Sequence, residues 1–128
     1  MCKLWDRATA NPSCSLMHDA RSERRRGDIN VFTVAPDKQQ ALVESLVETV
    51  QAARAVAGWM SASVHRSFDG RQVVNYVQFE NHEAAQAVTR HLLGLGLIER
   101  NSSLGLVAPG QYEVVHTIGR EDGLRKTK

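Results

Sequence analysis

The chain has 128 residues, 42% hydrophobic and 23% charged, the composition of one soluble globular domain with or without tails. A net charge of +2 is too small to point to nucleic acid as a partner, and no run approaches the ~20 apolar residues of a membrane span. The only cysteines, Cys2 and Cys14, lie in the N-terminal segment, which leaves the remainder without a disulfide framework or a cysteine metal site and suits a reducing cytoplasm.

Residues 1–27 are polar and aperiodic, broken by Asn11-Pro12 and closed by the cluster Arg21, Arg24, Arg25 and Arg26. They read as a flexible segment without the apolar centre of a signal peptide, within which Met17 competes with Met1 as the start of translation. The folded domain is expected over 28–120, followed by a flexible basic tail over 121–128. Its first strand, Ile29–Val34, is β-branched and stopped by Pro36. Asp37 then offers an N-cap with Gln40 three residues on. Leu42, Val43, Leu46, Val47 and Val50 follow at three- and four-residue steps, the stripe of an amphipathic helix that ends at or before Gly58.

Two alternating runs, Trp59 to Phe68 and Arg71 to Phe79, flank Asp69-Gly70 and read as a β-hairpin. Asn81 caps a second helix with Ala84, Ala85, Ala87, Val88, Leu92 and Leu93 on its apolar side, broken by Gly94 and Gly96. Residues 97–110 predict a loop or a short extra helix ended by Pro109-Gly110, and Tyr112–Ile118 predicts the last strand. The order β-α-β-β-α-β predicts an α+β, ferredoxin-like domain: a four-stranded antiparallel sheet with both helices on one face. The other face then lacks a cover within the chain, and a second copy packed sheet to sheet, a homodimer, would supply it.

The runs INVFTVAPDKQQALVESLVE, GWMSASVHRSFDGRQVVNYVQFEN and QYEVVHT resemble the antibiotic biosynthesis monooxygenase family over roughly 28–119. That resemblance implies a dimeric α+β barrel. It also implies oxidation of a small aromatic or polyketide-type substrate with O2 as co-substrate and no metal or organic cofactor. In such chemistry the deprotonated substrate is itself the electron source. The family's Asn-x-x-x-Trp pattern falls on Asn75 and position 79, which here is Phe79. A tyrosine that some members carry early in the second helix is replaced by Glu83, Ala84 and Ala85. These departures keep open a second reading, a non-catalytic binding protein of the same fold. Haem-degrading relatives suggest a third, through Asn30, Phe79 and a His91 that comes about half a turn late.

The candidate catalytic residues are therefore Asn75 and His65, and the candidate substrate-binding aromatics are Phe79, Trp59 and Tyr76, with no metal site. Asn75 shares a strand face with Val73, Val77 and Phe79. It serves either a pocket or a neighbouring backbone group. The role of His65 turns on register. A two-residue Asp69-Gly70 turn sets Val64 opposite Asn75 and sends His65, with Trp59, Ser61 and Ser63, to the far face, whereas a one-residue bulge brings His65 opposite Asn75. The apolar pattern favours the first register and the resemblance favours the second. Tyr76 falls on the face opposite Asn75, which suits dimer packing.

Overall fold

A computed structural model describes residues 24–120. The expected tail at 121–128, most of the expected N-terminal segment, both cysteines and Met17 lie outside the described residues. The elements are β1 (Arg26–Thr33), a 3-10 turn (Pro36–Lys38), α1 (Gln39–Ala53), β2 (Trp59–Arg66), β3 (Gln72–Phe79), α2 (His82–Gly94), α3 (Leu97–Leu104) and β4 (Leu106–Glu113). The strands form one sheet in the order β2-β3-β1-β4, with every neighbouring pair antiparallel. This is the ferredoxin-like α+β arrangement, with one helix more than the minimal pattern. Among the described residues no helix is long and apolar enough to cross a membrane.

β3 shows why the helices cover one face only: Val73, Asn75, Val77 and Phe79 are buried while the residues between them are half-buried or exposed. The core beneath that face has two lobes. Phe32, Val34, Leu42, Leu46 and Val73 form one. Val77 and Phe79 join Ala53, Ala84, Ala85, Val88, Leu92 and Leu97 in the other. Asn75 sits between the lobes on its strand.

Several expectations shift. β1 begins at Arg26 rather than Ile29 and ends at Thr33. Its N-terminal residues Arg26, Gly27 and Asp28 pair with Phe79, Gln78 and Val77 of β3, so part of the segment expected to be flexible belongs to the sheet. The first helix is entered through the 3-10 turn, and no side chain caps it. Gln40 bonds Glu44 instead of closing a capping box with Asp37. The buried side of α1 is also rotated: Ser45 and Thr49 are buried, whereas Val47 is 39% exposed.

The last strand is displaced most. It runs over Leu106–Glu113 rather than Tyr112–Ile118, because residues 97–104 form α3 and the strand starts directly after it. Pro109-Gly110 therefore lies inside the strand instead of ending the loop. β4 is an edge strand, where the missing N–H of Pro109 costs no ladder bond on the solvent side. The Asn81 cap is as expected: its Oδ1 accepts from the Ala84 N–H at 2.8 Å.

Candidate active site

A cavity of about 330 Å3 lies between the sheet and the three helices, within the range of small-molecule pockets. The inward residues of three strands form its sheet wall in successive rungs. Gln111, Asp28 and Val77 make one rung, Pro109, Asn30 and Asn75 the next, and Val107, Phe32 and Val73 the third. All but Val73 line the cavity, as do Arg26 and Phe79 at one end. The wall thus grades from charged at the N-terminal end of β1 to wholly apolar at the far end. α1 contributes Leu46, Thr49, Val50 and Ala53, α2 contributes Val88, Thr89 and Leu92, and α3 contributes Ile98, Asn101 and Ser102.

Asn75 is only 7% exposed, and its Oδ1 is buried with no hydrogen-bond partner. A buried acceptor without a partner costs roughly 1–3 kcal/mol. No group among the described residues bonds this oxygen, and Asn75 lines the cavity as the register partner of Asn30 on β1. Phe79 is 4% exposed and sets an aromatic face at the same wall.

The hairpin has the register expected of a two-residue turn, with Val64 opposite Asn75 and His65 opposite Val74, but its reverse turn lies one residue earlier: the Gly70 N–H donates to the Ser67 carbonyl at 3.2 Å, which puts Phe68 and Asp69 at its centre. The turn itself enforces this register. Gly70 takes φ +81°, and Asp69 Oδ1 accepts from the Arg71 N–H at 3.0 Å and from Ser67 Oγ at 2.6 Å. The Ser67 hydroxyl first, then the Arg71 N–H, hold the Asp69 carboxyl below its ordinary 3.8. His65 is consequently exposed on the outer sheet face, with its Nε2 2.9 Å from Ser63 Oγ, and it does not line the cavity. Tyr76 also points to the outer face, where its hydroxyl accepts from Gln78 Nε2 at 2.6 Å.

Trp59 departs from the expected face. An irregularity at Met60 sets Trp59 opposite Phe79 and Ser61 opposite Gln78, so the indole turns inward and packs on the lobe of Ala53 and Phe79. Its Nε1 is buried without a partner among the described residues, and Trp59 is not part of the cavity lining. Of the haem set, Asn30 and Phe79 line the cavity, but His91 is exposed and outside it, so the three are not brought together.

Two polar groups here escaped the sequence reading. The first is the pair Arg26 and Asp28. Arg26 Nε donates to Asp28 Oδ1 at 2.8 Å and Nη2 to Oδ2 at 3.1 Å, while Nη1 lies 2.7 Å from His82 Nδ1. Its signal was the alternation Arg26, Asp28, Asn30 against Gly27, Ile29, Val31, hidden by placing the strand start too late. The second joins α1 to α3. Asn101 Oδ1 accepts from Ser45 Oγ, its Nδ2 donates to Thr49 Oγ1 at 3.0 Å, and Arg100 Nε donates to Ser45 Oγ at 2.8 Å. Ser45 and Thr49, four apart on one side of α1, are the only local hint of it.

Residues 28–92 match the family described as antibiotic biosynthesis monooxygenase. The chain is 44% identical over 61 residues to the tetracenomycin-F1 monooxygenase of Streptomyces glaucescens, a stretch covering 47% of this chain and about half, 54%, of that relative. Among solved structures it resembles the monooxygenase ActVA-Orf6 of Streptomyces coelicolor, solved in complex with nanaomycin D. The two share 32% identity and a TM-score of 0.64 over 76% of this chain and 93% of that one. SnoaB of Streptomyces nogalater, described as a cofactor-independent oxygenase, has the same fold at 17% identity, with a TM-score of 0.63 over 76% of this chain and 99% of its own.

Proposed function

The chain belongs to the antibiotic biosynthesis monooxygenase family, and from that premise we propose that it oxidises a small aromatic or polyketide-type substrate with O2, without a metal or organic cofactor. The observation that carries this reading is a buried strand asparagine, Asn75, whose Oδ1 has no partner among the described residues and whose side chain belongs to the wall of a largely apolar cavity. The nanaomycin D held by ActVA-Orf6 and the description of SnoaB as cofactor-independent support it.

An anthrone shows how the electrons balance. Loss of one proton to solvent, through the polar end of the cavity, leaves an anion spread between the central carbon and the carbonyl oxygen. The anion gives one electron to O2, and the two radicals combine into a C–O bond. The resulting peroxide anion takes a proton back from solvent, and the hydroperoxide eliminates water as its O–O bond breaks and the remaining C–H proton is lost. A CH2 becomes a C=O, one oxygen atom enters the product and the other leaves as water, so no external reductant takes part.

The side chains favour the anion and exclude water. The Nδ2–H of Asn75, for which the structure records no acceptor among the described residues, is offered to the oxygen that carries the charge. Phe79 stacks on the ring. The surrounding Val77, Val88, Leu92 and Ile98 keep the reacting carbon dry. His65 has no part in these steps, since it lies on the outer face.

A second reading rests on Phe79. Phenylalanine removes the indole N–H that the family pattern puts there, which fits a protein that binds such molecules without oxidising them. Oxygen uptake by metal-stripped protein with an anthrone decides between the two. Uptake without added cofactor that falls in Asn75→Ala supports the oxygenase, and a rate no greater than that of buffer supports the binding protein. The outer sheet face, where Leu106 and Tyr112 are 79% and 56% exposed, fits the homodimer that we propose as the working form.

A further inference from the structure

The Arg26–Asp28 pair is an anomaly in this sheet. Both side chains point inward from β1 and are 12% and 18% exposed. Charges turned inward on a strand commonly protect a sheet edge from pairing with other chains, but β1 is an interior strand with β3 on one side and β4 on the other. Nor is fold stability a sufficient reason, since a half-buried ion pair is often matched or bettered by apolar side chains of similar volume. What remains is its position: both residues line the cavity, at the end opposite the apolar rung of Phe32 and Val107.

The hydrogen-bond geometry defines what the pair can still bind. Arg26 gives Nε–H and one Nη2–H to the carboxylate in a two-pronged fork, and Nη1 is engaged by His82 Nδ1. Its charge is already matched, so an anionic ligand gains little there. Asp28, in contrast, uses one lone pair on each oxygen and keeps the others. A carboxylate with free lone pairs in a largely apolar cavity selects a ligand hydroxyl and discriminates against an ether, a carbonyl or a carboxylate at that point. Gln111, the register partner of Asp28 on β4, lines the cavity beside it.

We infer that Asp28, the carboxylate partner of Arg26, is a specificity-determining residue that accepts a hydrogen bond from a phenolic hydroxyl of the substrate and so admits hydroxylated aromatic ring systems in one orientation. This inference rests on the reading of the cavity as an aromatic-substrate site. The hydroxyl-bearing end lies at the start of β1. Asn30 and Asn75, one rung further in, meet an oxygen about 6–7 Å along the ring system, the advance of two strand residues.

The test compares binding of 2,6-dihydroxyanthraquinone and its dimethyl ether to the full-length protein at pH 6, by calorimetry. A hydrogen bond to a charged group separates such ligands by about tenfold or more, so wild type is expected to favour the dihydroxy compound by that factor. Asp28→Asn, similar in shape but uncharged, should bring the two affinities within about threefold, mainly by weakening the dihydroxy compound. Arg26→Gln keeps the carboxylate and should retain most of the preference. Asn75→Ala should weaken both ligands together and leave their ratio unchanged.

Equal affinities in the wild type overturn the inference and leave the aromatic site standing. Binding of neither ligand overturns the site itself, and the inference with it. A preference that survives Asp28→Asn, or that disappears equally in Arg26→Gln with Asp28 intact, assigns the pair a merely structural role and also overturns the inference.

Discussion

Replacing Asn75 by leucine should stabilise this protein while abolishing the anthrone oxidation proposed for it. The amide is buried at 7% exposure, and its Oδ1 has no partner, a state that costs roughly 1–3 kcal/mol. Asparagine is also a poor strand residue, by up to about 1 kcal/mol against a well-packed apolar one. Leucine has similar branching, with methyl groups in place of the amide oxygen and nitrogen, and faces a cavity with room for their slightly larger volume, between Val73 and Val77 on its own strand. Allowing for imperfect packing, the net gain is about 2 kcal/mol. In a domain of this size each kcal/mol moves Tm by about 4 °C or more.

Urea denaturation and calorimetry at matched protein concentration measure that gain, and oxygen uptake measures the loss. A leucine variant less stable than wild type by more than about 1 kcal/mol would refute the reasoning, because it would mean that the amide braces a neighbouring backbone group. A stabilised variant with undiminished uptake would refute it from the other side, since the amide would then serve no substrate.

Asn101→Ala removes the centre of the bonds between α1 and α3 and leaves Ser45 and Thr49 buried without it; a loss of about 2–4 kcal/mol in chemical denaturation is expected. Gly58 has φ +91°, and a Cβ there would collide with that of Ala84; Gly58→Ala should therefore cost more than about 1 kcal/mol by the same measurement. For Asp69, whose folded pKa is lowered, the stabilisation is fully present above the ordinary 3.8 and fades as pH falls through the lower folded value. Asp69→Asn should flatten that acid limb in a series of melts, and an unchanged limb would contradict the turn bonding. Light scattering should give a mass near twice 14.2 kDa, whereas a stable monomer would contradict the homodimer.

The sequence by itself determined the element types and their order wherever the signal was local. The alternation of β3, the presence of a reverse turn around Asp69 and the Asn81 cap are each decided by residues within a few positions of one another, so backbone sterics and nearby hydrogen bonds suffice. The strand face shared by Val73, Asn75, Val77 and Phe79 follows from the two-residue period of a strand. Placing Asn75 in the sheet wall therefore required no tertiary information.

Only the tertiary structure decided what lies opposite what. Whether His65 meets Asn75 depended on a single-residue shift between β2 and β3, and the bonds that Ser67 and Asp69 make in the turn fixed it. The irregularity at Met60 turned Trp59 inward, against simple counting. Pro109-Gly110 reads as a chain break in sequence but lies within β4, because an edge strand can spare one N–H. The sharing of one cavity by Asp28, Asn30, Asn75 and Asn101 depends on pairings between residues far apart in the chain. Those pairings are set by the burial of two apolar lobes around the cavity, and no local pattern records that balance.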